Sequence, residues 1–512
     1  MKVLFARTTC IVSALLLLGR FGLCSGVRKQ TGEERASQYL ESIRQDPNRL
    51  QLFMRGFPKG GDLHNHLSGA VYAESFLQYA AAGGLCLEVK TLTLIAPPCN
   101  SAEGKPPVTD ILRNQDLYNQ AIDAFSMRDF HPAVESGHDH FFNTFSKFFA
   151  VSQGHTGEMI AEARAQAARD HVQYLELMVT PEDGSALLGQ KIGWNDDLAT
   201  FRQRLLASGF GEVVATGRRQ LENAYTKSDD ILGCRSANPV PGCSVAVRFL
   251  YQVLRGLPRQ QVFAQILAGF ELASADTRVV GLNLVMPEDG YVSMHDFDLH
   301  MRMLDFLHSL YPKVAITLHA GELTSRLVPP SGLYHIRASI EKGHARRIGH
   351  GADVMEEPAA EQLLHEMAAR HILVEICLMS NAEILGVAGA DHPLPEYLRA
   401  GVPVALATDD EGVSRSDLTH EFITFVKSYG ANYRELKTVA RNSLQYSFLT
   451  GQSLWMNDSY AAIIPDCSQD SPSGNSLSSR CAALLHSSDR AREQWKLEGE
   501  FMQFESSPAS HQ

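Results

Sequence analysis

No block of lysine and arginine occurs anywhere in the chain, and acidic residues outnumber basic ones 58 to 46, a formal net charge of −12. Binding to a polyanion rests on phosphate neutralisation, so nucleic acid is excluded as the main partner. Beyond the first 25 residues no apolar run reaches the ~20 residues needed to cross a bilayer, which excludes a stable membrane span there. Internal repeats and long low-complexity linkers are also missing. That argues for one elaborated domain rather than an array. Signals for tight hairpin turns are few, which disfavours an all-β fold.

What is present begins with "MKVLFARTTCIVSALLLLGRFGLCSG": Lys2 and Arg7, an apolar core from Cys10 to Leu18, then small residues at Gly22, Ser25 and Gly26. This order predicts a secretory signal peptide over residues 1–25 and a secreted or periplasmic protein. Arg20 interrupts the pattern, and Cys24 offers a site for lipidation in a poor lipoprotein context. The cysteines agree with export. Beyond Cys10 and Cys24, six fall into neighbouring couples, Cys86 with Cys99, Cys234 with Cys243 and Cys467 with Cys481. Each couple encloses a segment rich in Pro, Gly or Ser, as expected of disulfide-stapled surface loops. Cys377, inside the apolar run "ILVEICLM", is left over and reads as a buried free thiol.

Short β-branched or apolar runs alternate with amphipathic helical patterns. Strands are expected over Asp62–His66, Gln173–Val179, Val245–Gln252, Val279–Val285, Val314–His319, Arg347–His350, Ile372–Ile376 and Val402–Thr408. Strands separated by helices are joined as parallel crossovers, and eight such units predict an α/β fold of the (β/α)8 barrel type. The expected organisation is an N-terminal helical arm over 26–60 and a barrel over 61–460 with insertions near 83–135 and 208–244. A Ser-rich loop, helix and tail follow over 461–512. Nothing in the sequence sets an oligomeric state.

A barrel gathers its functional residues at the C-terminal ends of its strands. His64 and His66 end the first expected strand and, as alternate residues, project to one side. His319 ends the fifth with Glu322 three residues on, His350 ends the sixth, and Asp409 and Asp410 end the eighth. Singly each has a plain reading: His-x-His is common, a lone His is often a hydrogen-bonded loop residue, and Asp410 suits a helix N-cap. A second pair, His138 and His140, precedes the aromatic helical run "FFNTFSKFFAV" and reads as structure or pocket wall. The conjunction is harder to dismiss. Three imidazoles (His64, His66, His319) and one carboxylate (Asp409) make a nitrogen and oxygen donor set suited to one zinc ion. Glu322 is then placed to carry a proton, and His350 to orient or deprotonate water.

The order of "HNHLSGA", "HAGE", "GHG", "SNAEILGV" and "TDDEGVSRSDLTHEF" closely resembles the adenosine deaminase family of metal-dependent amidohydrolases, from residue 55 to about 450. The resemblance implies a zinc-dependent barrel that hydrolyses the C6 amino group of a purine nucleoside. It gives the metal to His64, His66, His319 and Asp409, proton donation at ring N1 to Glu322, water activation to His350 and ring N7 to Asp410. There is no His-x-Glu with Pro-Cys-x-x-Cys, so the cytidine-deaminase type is excluded, and "VVGLNLVM" offers no lysine to bridge two metals. Two positions depart from the family. Ser68 stands where an acidic residue commonly accepts the ribose 5′-hydroxyl, and Met286 falls where a glycine usually meets ring N3. Adenosine or 2′-deoxyadenosine is the expected substrate, with relaxed tolerance at the 5′ end. The alternatives are another C6-aminopurine (adenine, or a 5′- or N6-substituted adenosine) and a secreted, growth-factor-like binding protein on the same fold.

Overall fold

The computed structural model describes residues 30–474 and 476–507; the leader expected over residues 1–25 lies outside them. Its centre is a barrel of eight parallel strands in chain order. They are β1 (Gly60–His66), β2 (Val172–Val179), β3 (Ala246–Leu254), β4 (Val279–Val285), β5 (Ala315–Ala320), β6 (Arg347–His350), β7 (Leu373–Ile376) and β8 (Val404–Leu406). The barrel closes at its functional end. Asp409 N–H donates to His64 O at 2.9 Å and His66 N–H to Asp409 O at 2.9 Å, so β1 and the end of β8 share a bridge. The expected strands are all present: Val279–Val285 and Arg347–His350 match at both ends, and the rest differ by at most two residues at either end. β8 is shorter than expected because Thr408 leaves the ladder, its Oγ1 donating to Asp62 Oδ2 at 2.6 Å.

The strands are buried on both faces, as the outer helices require of a parallel sheet. The crossover helix Arg259–Ala275 is apolar nearly all round, and its Phe263 stacks on Phe201 at 5.1 Å, joining two outer helices. The N-terminal helices Gly32–Ile43 and Pro47–Gly56 begin where their caps dictate: Thr31 and Glu34 form a capping box, and Asp46 caps the second ahead of Pro47. They dock on the helix Asp489–Ser506 through aromatic contacts, Phe53 with Phe504 at 5.1 Å and Phe57 with Phe501 at 5.6 Å. That same helix reaches the start of β2, where Gln173 Nε2 donates to Glu493 O at 2.9 Å. The first and last helices of the described residues therefore meet at the N-terminal end of the barrel.

Residues 83–135 form a two-stranded hairpin and short helices, followed by the helix Gly137–Ser152, whose Phe148 stacks on Phe76 at 4.5 Å. Residues 208–244 are mostly the helix Phe210–Ile231, held by Arg164 donating to Ser228 Oγ and Asp229 Oδ1 at 2.7 and 2.8 Å. The three expected disulfides, Cys86–Cys99, Cys234–Cys243 and Cys467–Cys481, are formed. Cys377 is a buried free thiol.

Candidate active site

At the C-terminal end of the barrel three imidazole nitrogens and one carboxylate oxygen converge. His64 Nε2 and His66 Nε2 lie 3.0 and 3.1 Å from His319 Nε2, and Asp409 Oδ1 lies 3.3 and 3.2 Å from the first two. The outer nitrogens show which protonation this requires. His64 Nδ1 faces Glu375 Oε2 at 2.7 Å, His66 Nδ1 faces Gln252 Oε1 at 3.1 Å, and His319 Nδ1 faces Asn283 Oδ1 at 3.0 Å. All three partners are acceptors, so each Nδ1 carries the proton and each Nε2 turns a lone pair inward. Asp409 Oδ2 accepts from Ser380 Oγ at 2.6 Å, which leaves Oδ1 buried with no hydrogen-bond partner. Four inward lone-pair atoms at 3.0–3.3 Å repel one another unless a cation lies among them. Metal–ligand bonds of about 2.0–2.1 Å in a tetrahedral site put ligand atoms roughly 3.3 Å apart, so these residues fit a zinc-sized ion. The outer partners orient the rings as the second shell of a metal site does.

Asp410 and the turn after β1 are fitted to each other. A Cβ on Gly69 would lie 1.5 Å from Asp410 Oδ1, so only glycine allows the carboxyl to sit there. The segment Glu411–Ser414 does start as a short helix at Asp410, but the side chain makes no capping bond, and its Oδ1 is buried and unpartnered. Burial first, then the charges of Asp409 and Glu322, push the Asp410 carboxyl well above its ordinary range despite the opposing imidazoles. Its buried surroundings favour the protonated carboxyl over the anion. Glu322 is pushed up in the same way, by burial and then by the Asp409 and Glu288 charges. Its backbone N–H donates to Glu288 Oε2 at 2.8 Å, and its carboxylate lies 3.8 Å from His350 Nε2.

His350 is held by a chain of buried donors and acceptors. Leu394 N–H donates to His392 Nδ1 at 3.1 Å, so His392 Nε2 holds the proton and donates to Asn381 Oδ1 at 3.1 Å. Asn381 Nδ2 then donates to His350 Nδ1 at 3.0 Å, which leaves an Nε2–H aimed into the site without a partner. Burial lowers His350 to about 4, so the ring is neutral. Met286, His350 and Asp409 all adopt positive φ at strand ends (86°, 66° and 60°), a strain that collects at functional sites. The Met286 carbonyl is fixed by Arg255 Nε and Nη2 at 3.2 and 3.1 Å. Ser68 lies half-buried in the turn after β1.

The structure thus brings His64, His66, His319, Asp409, Asp410, Glu322 and His350 together at one barrel end. His138 and His140 are elsewhere, on the helix Gly137–Ser152, bonded to Asp289 and to the Ser126 carbonyl. Sequence reasoning missed Glu375, Gln252 and Asn283, and it gave no role to Ser380 and Asn381 although they open the quoted "SNAEILGV"; all five orient the site. One signal was available: Glu375 is a carboxylate inside an otherwise apolar strand, a placement that requires a buried partner.

The model of the family described as "Adenosine deaminase" matches residues 113–454. A curated adenosine deaminase of Salmonella paratyphi C is 24% identical over 403 residues, 78% of this chain and 97% of that protein. One of Serratia proteamaculans is 36% identical over 138 residues, 27% of this chain, and this chain spans only 39% of that relative's length. Among solved structures, Arabidopsis ADAL complexed with GMP superposes with a TM-score of 0.51 at 19% identity, over 77% of this chain and 93% of that one. Adenine deaminase from Arthrobacter aurescens gives 0.50 at 20%, over 77% and 94%. At these identities the structural neighbours establish the fold, the (β/α)8 barrel. The family match covers two-thirds of the sequence and includes β2 to β8 with His319, Glu322, His350, Asp409 and Asp410, and on it the chain belongs to the adenosine deaminase family.

Proposed function

We propose that the protein is a zinc-dependent hydrolytic deaminase converting adenosine and 2′-deoxyadenosine to inosine and 2′-deoxyinosine with release of ammonia. The observation that carries this reading is the set of three Nε2 lone pairs and Asp409 Oδ1, 3.0–3.3 Å apart, with the carboxyl groups of Glu322 and Asp410 buried at the same barrel end. His64, His66, His319 and Asp409 would hold one zinc ion, whose chemistry there is to make water nucleophilic at neutral pH.

The remaining residues supply what attack at C6 requires. Adding oxygen to that carbon breaks the ring's aromaticity and drives electron density onto N1. Glu322, protonated in its buried pocket, delivers a proton to N1 and spares the ring a full negative charge. General acid help of this kind contributes about 10²–10⁴ in rate. His350, held as the Nε2–H tautomer, donates a hydrogen bond to the attacking oxygen and so orients it. N7 of a purine is an acceptor, so Asp410 donates to it as the protonated carboxyl that its burial favours. The hydroxyl proton of the tetrahedral carbon then passes to the amino nitrogen, which leaves as ammonia, the water's other proton restores Glu322, and the ring regains its conjugation as the 6-oxopurine. Ser68 in the turn after β1 is the expected contact for the 5′ end of the sugar. Three disulfides suit an oxidising compartment, consistent with export, and no helix among the described residues is long and apolar enough to cross a membrane.

The test is turnover of adenosine, 2′-deoxyadenosine, adenine and AMP followed by the adenine-to-hypoxanthine absorbance change and by ammonia. Zinc content and chelator treatment are measured on the same protein. Rapid, chelator-sensitive deamination of the two nucleosides is the expected outcome. Inactivity on the nucleosides by zinc-loaded protein would refute it.

A further inference from the structure

A proton on Glu322 serves the reaction only if the carboxyl is held in place, and the chain gives little local help. Glu322 follows Gly321, whose φ is +77°, in the turn after β5. Glycine is the residue whose backbone is least restrained by itself. The turn is instead fixed from outside, on two sides. The Gly321 carbonyl accepts from the Ala352 and Asp353 amides, beyond the end of β6, at 2.7 and 3.2 Å. The amides of the turn point at Glu288, beyond the end of β4. Gly321 N–H donates to Glu288 Oε1 at 3.3 Å and Glu322 N–H to Oε2 at 2.8 Å. A Cβ on Gly321 would lie 2.5 Å from Asp353 Oδ1 and 2.7 Å from Ile336 Cδ1, so the turn is seated tightly against its neighbours.

Glu288 is itself immobilised and buried. His335, at the start of the helix His335–Glu341, places its Nδ1 2.6 Å from Glu288 Oε1, and its ring stacks on Phe297 at 3.6 Å. Two residues upstream, Arg255 holds the Met286 carbonyl, and its Nη1 donates to the His319 carbonyl at 3.1 Å. The ends of β4 and β5 are thereby tied together just before Glu288 reaches across to the turn. Burial opposes a charge on Glu288, but the His335 hydrogen bond and the His335 and Arg255 charges outweigh it and hold the carboxyl below its ordinary range. Both oxygens are then acceptors, and a carboxylate binds backbone amides more strongly than a neutral acceptor does. The Glu322 carboxyl so anchored lies 3.8 Å from His350 Nε2, on a ring whose centre is 5.1 Å from that of His319.

We infer that Glu288 is a positioning residue for the reaction, its carboxylate clamping the Gly321 and Glu322 amides and so aiming the Glu322 carboxyl at the purine ring. The inference rests on the deaminase reading above and goes beyond it in naming what holds the proton donor. Glu288 acts only through Glu322. Displacing a reacting group by roughly 1 Å costs about 10² in rate, whereas substrate affinity rests on other residues. Loss of the clamp therefore falls on kcat and spares KM.

The experiment measures kcat and KM for adenosine, with zinc content, in the full zinc-loaded protein and in its Glu288→Ala, Glu288→Gln and Glu322→Gln variants. Each Glu288 variant is also combined with Glu322→Gln. Glu288→Ala removes both acceptors, and kcat should fall about 10–100-fold with KM within about threefold and zinc content unchanged. Glu288→Gln fills the same volume but keeps one acceptor for two amides, so it reports even if the alanine variant fails to fold. Its kcat should fall at least about fivefold. Added to Glu322→Gln, either change should cost less than about twofold more, because the clamp has nothing left to aim. Losses that multiply in the double variants, losses carried by KM or by zinc content, or a kcat loss smaller than these overturn the role of Glu288 and leave the deaminase reading intact. A zinc-loaded wild type that does not deaminate adenosine overturns both.

Discussion

The barrel interior holds two layers of buried ionisable groups, and they are built on opposite terms. In the lower layer Arg347, at the start of β6, pairs with Glu176 and Glu375 at 2.6 Å each, donates to the Tyr446 carbonyl at 3.2 Å and stacks 3.7 Å from the Phe448 ring. Glu176 also accepts from the Tyr174 hydroxyl and the Phe448 amide, both at 2.8 Å, and no side-chain atom of Arg347, Glu176 or Glu375 lacks a partner. In the upper layer, at the end of the same strand, His350 Nε2, Asp409 Oδ1 and Asp410 Oδ1 are equally buried and unpartnered. Burial is alike in the two layers; satisfaction differs. A closed network is architecture, and open valences aimed at one point are a site. Glu375 joins the layers, one oxygen on Arg347 and the other on His64 Nδ1. Burial alone would raise its pKa, but Arg347 and His64 outweigh that and hold it at about 2.

Removing one of the open valences should have the largest effect. His319→Ala is expected to abolish stoichiometric zinc binding and to lower kcat/KM by at least about 10³, since a metal's share of such a barrier is several kcal/mol. Elemental analysis and turnover read both, and an active, zinc-loaded variant would dissolve the distinction between the layers. Arg347→Met attacks the closed network instead. It strands two buried carboxylates, and denaturant unfolding should show a loss of about 3–5 kcal/mol. A loss under about 1 kcal/mol would mean that the lower layer is held by packing rather than charge.

The smallest effect sharpens the comparison at its edge. Glu421 is a buried carboxylate that is satisfied, accepting from the Leu378 and Met379 amides at 2.8 and 3.0 Å, yet burial raises it to about 8. The folded state then binds its proton more tightly than the unfolded chain, where the pKa is near 4.5. Its contribution to stability is full below the unfolded value and falls as pH rises through the folded one. Between pH 6 and 7 the wild type should lose roughly 1 kcal/mol relative to Glu421→Gln. Thermal unfolding across that range measures it, and parallel curves for the two proteins would show that the amide hydrogen bonds offset the burial.

Much of this was legible before any coordinates. Alternation put His64 and His66 on one side of a strand, and the strand-end rule placed His319, Glu322, His350, Asp409 and Asp410 at one rim. The neighbouring cysteine couples gave the disulfides. The exact extent of β8 was not legible, because Thr408 prefers a side chain on β1 to its own ladder. Nor was the idle capping potential of Asp410, since its neighbour Gly69 is 341 positions away in the chain.

By itself the sequence determined the architecture, the donor types and their order, because strand periodicity and motif spacing are local properties of a chain. Only the tertiary structure decided the chemical state of those donors. Which nitrogen of each imidazole holds the proton depends on Glu375, Gln252 and Asn283, which come from three other strands. Whether Glu322 and Asp410 carry protons depends on burial and on charges brought within reach by barrel closure. A proton's free energy is set by the surroundings of its site in three dimensions, and those are fixed only when distant segments pack.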